Sequence, residues 1–184
     1  IIGEADRLTA LTDSLLGPVR RLQRQDVNVH EVLERVVALV ESEHREAVRL
    51  VRDYDPSLPS IPADPDQLIQ ALLNIARNAV QSVGPGGHVI FRTRALTNFP
   101  IGAVRHKLVL SIDIEDNGPG VEPELAESIF YPLVTGRPDG TGLGLPISQD
   151  LVSRHGGLIE FQSRPGKTVF TVRLPADAPA GDLP

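Results

Sequence analysis

The sequence predicts an α+β fold, with helices stacked on one face of a mixed sheet and an extra helix at the N-terminus. Three observations carry this. Two long segments, 28–43 and 65–83, repeat apolar residues at helical spacing. Strand-like runs at 48–54, 88–94, 107–115, 158–163 and 167–174 lie among and after them, with no internal repeat. The chain has 184 residues and is 41% hydrophobic, enough for about one domain with a real core. With five Phe, two Tyr and no Trp, that core is aliphatic.

Composition also excludes functions. The net charge of −6 and the lack of a basic run argue against backbone-driven nucleic-acid binding. Zero cysteine removes disulfides, thiolate zinc sites and Cys nucleophiles together. No apolar run approaches the roughly 18 residues of a membrane span, and no signal peptide opens the chain. The 16 Gly and 16 Pro exceed ordinary usage but fall short of low-complexity disorder. With Ile at residue 1 and no Met anywhere, a cytoplasmic piece of a longer protein is expected.

Ile1, Ala5, Leu8, Leu11 and Leu15 predict a helix over 1–16, stopped by Gly17-Pro18. Its apolar stripe needs a partner. Residues 18–27 are a polar, Arg-rich connector. Val29, Val32, Leu33, Val36, Val37 and Val40 mark the helix at 28–43. A strand runs from Val48 to Tyr54, and 57–63 is loop. Asp64-Pro65-Asp66-Gln67 is a helix start with an Asp cap, Pro at the first position and Gln three residues on. Gly84-Pro85-Gly86-Gly87 ends that helix. Between the strands at 88–94 and 107–115, residues 95–106 read as a long loop. A short helix is expected at 122–130, a Pro/Gly-rich mobile loop at 131–142 and a helix at 143–155. From Pro175 the chain reads as a disordered tail.

Three segments could carry chemistry. At ~100° per residue, Gln67, Gln70, Asn74, Asn78 and Gln81 share one narrow stripe of an otherwise apolar helix. Uncharged amides suit a site that must tolerate phosphate and offer oxygen to a hard cation such as Mg²⁺; a polar face bordering a loop would look the same. Asp116-Asn117-Gly118-Pro119-Gly120 follows a strand. It can place a carboxylate in a pocket while the backbone approaches a ligand closely, although Asp-Asn-Gly is also ordinary turn chemistry. Gly140-Thr141-Gly142-Leu143-Gly144-Leu145 precedes a helix, where free amides and the helix dipole favour an anion. No Gly-Lys-Ser/Thr follows, so it is not a Walker loop.

The order and spacing of all three resemble the GHKL (Bergerat) ATP-binding superfamily over about residues 25–174. Asn74–Ala79 is similar to its N box, Asp116–Gly120 to its first glycine box, Phe130-Tyr131-Pro132 to its F box and Gly140–Leu145 to its second glycine box. Within it, the chain resembles sensor histidine kinases. The runs Tyr54-Asp55-Pro56-Ser57-Leu58-Pro59, Leu15-Leu16-Gly17-Pro18 and Phe130-Tyr131-Pro132-Leu133-Val134 resemble the nitrogen-regulation branch.

The resemblance implies ATP and Mg²⁺ as ligands, and roles for single residues. Asp116 would accept the adenine amine, with Asn117, Gly118 and Gly120 shaping that pocket. Asn78 would hold Mg²⁺, and Asn74 would lie beside the γ-phosphate. Arg77 and Arg137 become candidate phosphate contacts, Arg137 in the lid. Gly140, Thr141, Gly142, Leu143 and Gly144 would fold over the triphosphate. The family's acceptor His lies on a dimerisation hairpin, followed by an acidic residue and Asn-Pro. Of His30, His44, His88, His106 and His155, only His30 precedes Glu, and no Asn-Pro follows. Residues 1–17 would then be the end of that hairpin's second helix, 18–27 a linker, 28–174 the catalytic domain and 175–184 a tail. Implied partners are the chain's own dimerisation domain, a response regulator of the NtrC type and a PII-type signal protein.

Two alternatives stay open. A water-attacking GHKL ATPase places Glu one turn before the Mg²⁺ Asn; here that residue is Asn74, which cannot deprotonate water. A nucleotide-dependent module that docks a PII-type protein would need no transfer activity.

Overall fold

Alternation along each strand sends one row of side chains inward and the next outward, and here the inward rows align across the sheet. A computed structural model describes residues 21–43, 48–136, 138 and 140–177. The expected first helix, the start of the connector, His44, Arg137 and the tail beyond Asp177 lie outside the described residues.

The elements are β1 (Gln25–Val27), α1 (Val29–Glu43), β2 (Val48–Asp53), β3 (Ile61–Ala63), α2 (Pro65–Ser82), β4 (Gly87–Ile101), β5 (Val104–Asp116), α3 (Pro123–Ala126), α4 (Gly144–Arg154), β6 (Leu158–Arg164) and β7 (Lys167–Pro175). Five strands form one mixed sheet in the order β2-β4-β5-β7-β6, with β2 parallel to β4 and the remaining pairs antiparallel. Register puts Thr93, Ile112, Val172 and Ile159 in one row, and Phe91, Ile114, Phe170 and Phe161 in the next. One step further stand Val89, Asp116 and Thr168. Asp116 is thus the first charge beyond the aliphatic rows.

The valine stripe of α1 and the apolar arc of α2 join those rows, with Leu145, Leu151 and Val152 of α4, in a single core. The outward face of the sheet is a ladder of ion pairs. Arg92 bridges Asp53 and Glu115 at 2.9 and 3.1 Å, and Lys167 reaches Glu115 at 3.2 Å. Burial works to raise Glu115, but its bonds to Arg92 and Lys167 outweigh this and leave its carboxyl below the ordinary value. The α+β architecture with helices on one face is therefore as expected.

Three expectations are corrected. The 95–106 segment is not a loop but the end of a long hairpin: Thr97 pairs with Leu108, Phe99 with His106 and Ile101 with Val104 across the two-residue turn Gly102-Ala103. Gly102 supplies the positive φ of 58° that such a turn needs. Asn98, at φ 52°, stands in the hairpin without shifting its register, and its carbonyl accepts from Arg105 at 2.7 Å. The second correction joins the connector to the 57–63 loop: β1 pairs antiparallel with β3 and buries Val27, Ile61 and Ala63. Third, the helix expected at 122–130 is a single turn. Pro175 and Ala176, expected in the tail, join the sheet instead: Pro175 pairs with Val109 and Ala176 N–H donates to Leu108 O at 3.0 Å.

Asp64 ties the helices together. Its Oδ1 accepts the Gln67 amide at 3.2 Å as the cap of α2, and its Oδ2 accepts the Gln23 amide at 2.9 Å. Its own N–H donates to His155 Nε2 at 3.0 Å, while His155 Nδ1 lies 2.7 Å from Leu151 O. A carbonyl only accepts and an amide only donates, so the ring is neutral with its proton on Nδ1. Burial pushes its pKa below 6.5, with Arg24 adding to the shift and the Leu151 bond and Asp64 opposing it. The unfolded chain then binds the extra proton first, so this contribution is complete above pH 6.5 and is lost as pH falls below it. His155→Gln should lower stability by about 1–3 kcal/mol at pH 7.5. In urea unfolding, the gap to the parent should narrow by pH 5.

Candidate functional site

α2 is buried on three sides, and its remaining side decides what the site holds. Asn74, Asn78 and Gln81 line a cavity of about 620 Å³ between α2, the end of β5 and the 119–145 segment. The carboxamide stripe is divided. Gln67 Nε2 donates to Asp64 Oδ2 at 3.4 Å, and Gln70 is exposed and does not line the cavity.

Asp116 forms one end of the cavity and is 3% exposed. Burying a carboxylate requires donors, and two converge on Oδ1: the Gly118 amide at 2.9 Å and the Ser82 hydroxyl at 3.0 Å. Gly118 is required by close approach, since a Cβ there would lie 2.8 Å from both Asp116 Oδ1 and Ser82 Oγ. Thr168 is the neighbour across the sheet and also lines the cavity. Its Oγ1 is 2.8 Å from Ser163 Oγ, which in turn accepts the Val121 amide.

The other end is built by α4. Asn74 Nδ2 donates to Gly144 O at 3.1 Å, and Ser148 Oγ donates to Ala71 O at 2.9 Å. With the His155–Asp64 bond, these make three rungs between antiparallel helices. Leu143 caps α4 without a side-chain bond, so the first-turn amides and the helix dipole favour an anion there. Gly142 has a positive φ of 67°, and a Cβ on it would fall 2.5 Å from the Leu133 carbonyl carbon. Leu133 N–H donates to Gly142 O at 2.9 Å, and Leu133 itself holds a φ of 66°.

Of the expected site residues, Asn74, Arg77, Asn78, Asp116, Gly120, Gly140, Thr141, Gly142 and Gly144 line the cavity. Asn117, Gly118 and Leu143 do not. Asn117 Oδ1 accepts the His88 amide at 2.8 Å, Gly118 lies behind Asp116 and Leu143 is buried under the loop. Arg137 is outside the described residues. Arg77 is engaged bidentately by Glu43 at the end of α1, with Nε 3.0 Å from Oε2. Ser82, Thr168 and Glu122 also line the cavity, though sequence reasoning passed them over. Ser82 follows Asn78 by four residues, a helical spacing that could have flagged it; Thr168 becomes visible only through strand register. Among the described residues no three His, Cys, Asp or Glu side chains gather as a metal cage. A carboxamide and phosphate oxygens are nevertheless a donor set that Mg²⁺ accepts.

The family model described as histidine kinase-, DNA gyrase B-, and HSP90-like ATPase matches residues 63–178. The chain belongs to this family. It is 52% identical over 176 residues to the sensory histidine kinase/phosphatase NtrB of Salmonella typhimurium, covering 95% of this chain and 50% of that protein. Identity to the protein of the same name from Rhizobium leguminosarum is 36%, over 98% of this chain and 49% of that one. The chain therefore spans about half the length of the curated relatives it matches. Full-length ShkA in complex with AMPPNP aligns with a TM-score of 0.76 at 27% identity, over 98% of this chain and 38% of that one. The catalytic domain of histidine kinase ThkA shares the fold, with a TM-score of 0.70 at 24% identity over 85% of this chain and 97% of its own.

Gly142→Ala tests the crossing at the foot of the loop. A left-handed Ala costs about 1–2 kcal/mol before any clash. Exchange of the Leu133 amide should accelerate about tenfold or more, read by hydrogen-exchange mass spectrometry.

Proposed function

We propose that this chain is the ATP-binding catalytic part of a sensor histidine kinase, which transfers the γ-phosphate to a His on its own dimerisation domain. The observation that carries this is the buried Asp116 carboxylate, held by Gly118 and Ser82 at one end of a cavity whose other end is a helix N-terminus flanked by uncharged amides. A carboxylate accepts from the adenine amine. The triphosphate then extends along α2 towards Asn78 and the amides of 140–144. Mg²⁺, held by Asn78 and the phosphates, would neutralise charge on the bridging oxygens. Arg77 would join the phosphates by leaving Glu43, and Arg137 would do so from the lid.

Transfer is mostly positioning. An imidazole nitrogen must stand in line with the β–γ bridging oxygen, so that the P–N bond forms as that P–O bond breaks and ADP leaves. None of the described histidines lines the cavity. His155 is locked as described, His30 stacks on Tyr54 with ring centroids 4.9 Å apart, and His106 pairs with Asp177. The acceptor therefore comes from elsewhere, and residues 1–17 are assigned to the end of the dimerisation hairpin, with 18–27 as linker. Asn74 has no basic atom with which to activate water, which favours transfer over hydrolysis.

The relatives' name supports a kinase/phosphatase role, and histidine kinase ThkA was solved with response regulator TrrA. A response regulator of the NtrC type, nitrogen regulation, a PII-type regulator and a cytoplasmic location belong to the same proposal.

Calorimetric titration should show ATP binding at least tenfold tighter than GTP, because guanine presents a carbonyl to Asp116 and an unpaired acceptor costs about 1–3 kcal/mol. Asp116→Ala should remove that preference; equal affinities in the parent would overturn the adenine assignment. With γ-labelled ATP, the chain alone should gain no acid-labile label, and an added dimerisation hairpin should. Label on the chain alone would overturn the assignment of the acceptor.

A further inference from the structure

Ser82 is the last residue of α2, and its hydroxyl faces two acceptors. Ala79 O lies at 2.8 Å and Asp116 Oδ1 at 3.0 Å. One hydroxyl has one proton. When that proton points to Ala79 O, lone pairs of Ser82 and Asp116 confront each other at 3.0 Å; when it points to Oδ1, the carboxylate gains a second donor beside the Gly118 amide. An ionised Asp116 selects the second arrangement. The Gly118 amide and the Ser82 hydroxyl then both donate to Oδ1.

The packing around this contact leaves little play. A Cβ at Gly118 would come within 2.8 Å of Ser82 Oγ and within 2.9 Å of Ser82 O. Ser82 also lines the cavity beside Asp116. It therefore belongs to the base end of the site rather than to the phosphate end, where Asn74 and Asn78 stand.

We propose that Ser82 is a positioning residue for base selection, whose hydroxyl fixes the Asp116 carboxylate by Oδ1 so that recognition of a purine 6-amine depends on both side chains. This rests on the nucleotide reading above and adds to it the residue that sets its selectivity. Without the hydroxyl, Oδ1 loses one of the donors that set the orientation of the carboxylate about its χ2 bond. Its bond to the amine then weakens, while contacts to ribose and phosphates do not change.

The test uses two nucleotides that differ at one group: ATP, and purine riboside triphosphate, which carries hydrogen in place of the 6-amine. Isothermal titration is run on the parent chain and on Ser82→Ala with both ligands and Mg²⁺. The expected result is roughly a five- to tenfold loss of ATP affinity in Ser82→Ala, from one hydrogen bond to a charged group. Affinity for purine riboside triphosphate should stay within about twofold of the parent, so the ratio of the two constants falls. A general defect in α2 would weaken both ligands alike, and that outcome overturns the proposal, as does an unchanged ratio. A parent chain that binds neither nucleotide overturns the nucleotide reading as a whole. One that binds both equally overturns the role of Asp116, and that of Ser82 with it.

Discussion

Burial of α2 is the constraint on which the rest of the structure depends. Leu68, Ala71, Leu72, Ile75, Ala76, Ala79 and Val80 are removed from water against the sheet, α1 and α4. Each buried methylene is worth about 0.8 kcal/mol, so the orientation of this helix is set by its core side. The positions of Asn74, Asn78 and Gln81 follow, because side chains on one helix cannot be aimed independently. A site built this way inherits the rigidity of the core. It is also restricted to the polar groups that the apolar arc leaves over.

The same economy governs the carboxylate. Asp116 occupies the row after Phe91, Ile114 and Phe170, where the apolar surface ends and Val89 and Thr168 are its cross-strand neighbours. One step inward, a charge would meet only aromatic and aliphatic atoms. One residue outward, Asn117 is already exposed and serves as a surface acceptor. On the opposite face of the sheet, charges meet in pairs and remain wetted. Asp53, Arg92, Glu115 and Lys167 form a chain of contacts there, worth little individually at the surface but enough to keep this face from becoming a second apolar layer.

Most of the architecture was legible because it depends on local periodicity. The valines of α1, the Asp-Pro start of α2 and the alternation of Leu108, Leu110, Ile112 and Ile114 each define an element without tertiary information. The failures share one cause. β1 and β3 are three residues long, too short for a period, and exist because they pair with each other. The outer part of the β4–β5 hairpin contains Asn98, Pro100 and Gly102, which read locally as breakers. Their role emerges only when Gly102 is seen as the turn and the pairing is seen to run in one register past Asn98 and through Pro100. For the site, motifs located Asp116 and the two asparagines, whereas Ser82 and Thr168 depend on what lies across the helix end and across the sheet.

The two halves of the cavity differ in how they are held. One half consists of α2, β5 and β7, cross-linked by register and by the three rungs to α4. The other is the chain from Leu133 to Gly142, whose ends meet in one close crossing where the Leu133 amide reaches Gly142 O. Two residues at positive φ make this crossing, and one of them is Leu133, for which the left-handed conformation is unfavourable. Strain of that kind persists only where its surroundings enforce it, and here the enforcing contact is the glycine opposite. The crossing closes this segment on itself, whereas Asn74 and Asp116 are held from α4, Ser82 and Gly118. The base end is thus anchored by side-chain bonds between core elements, and the loop meets the residues just before α4 at a backbone contact that only glycine permits.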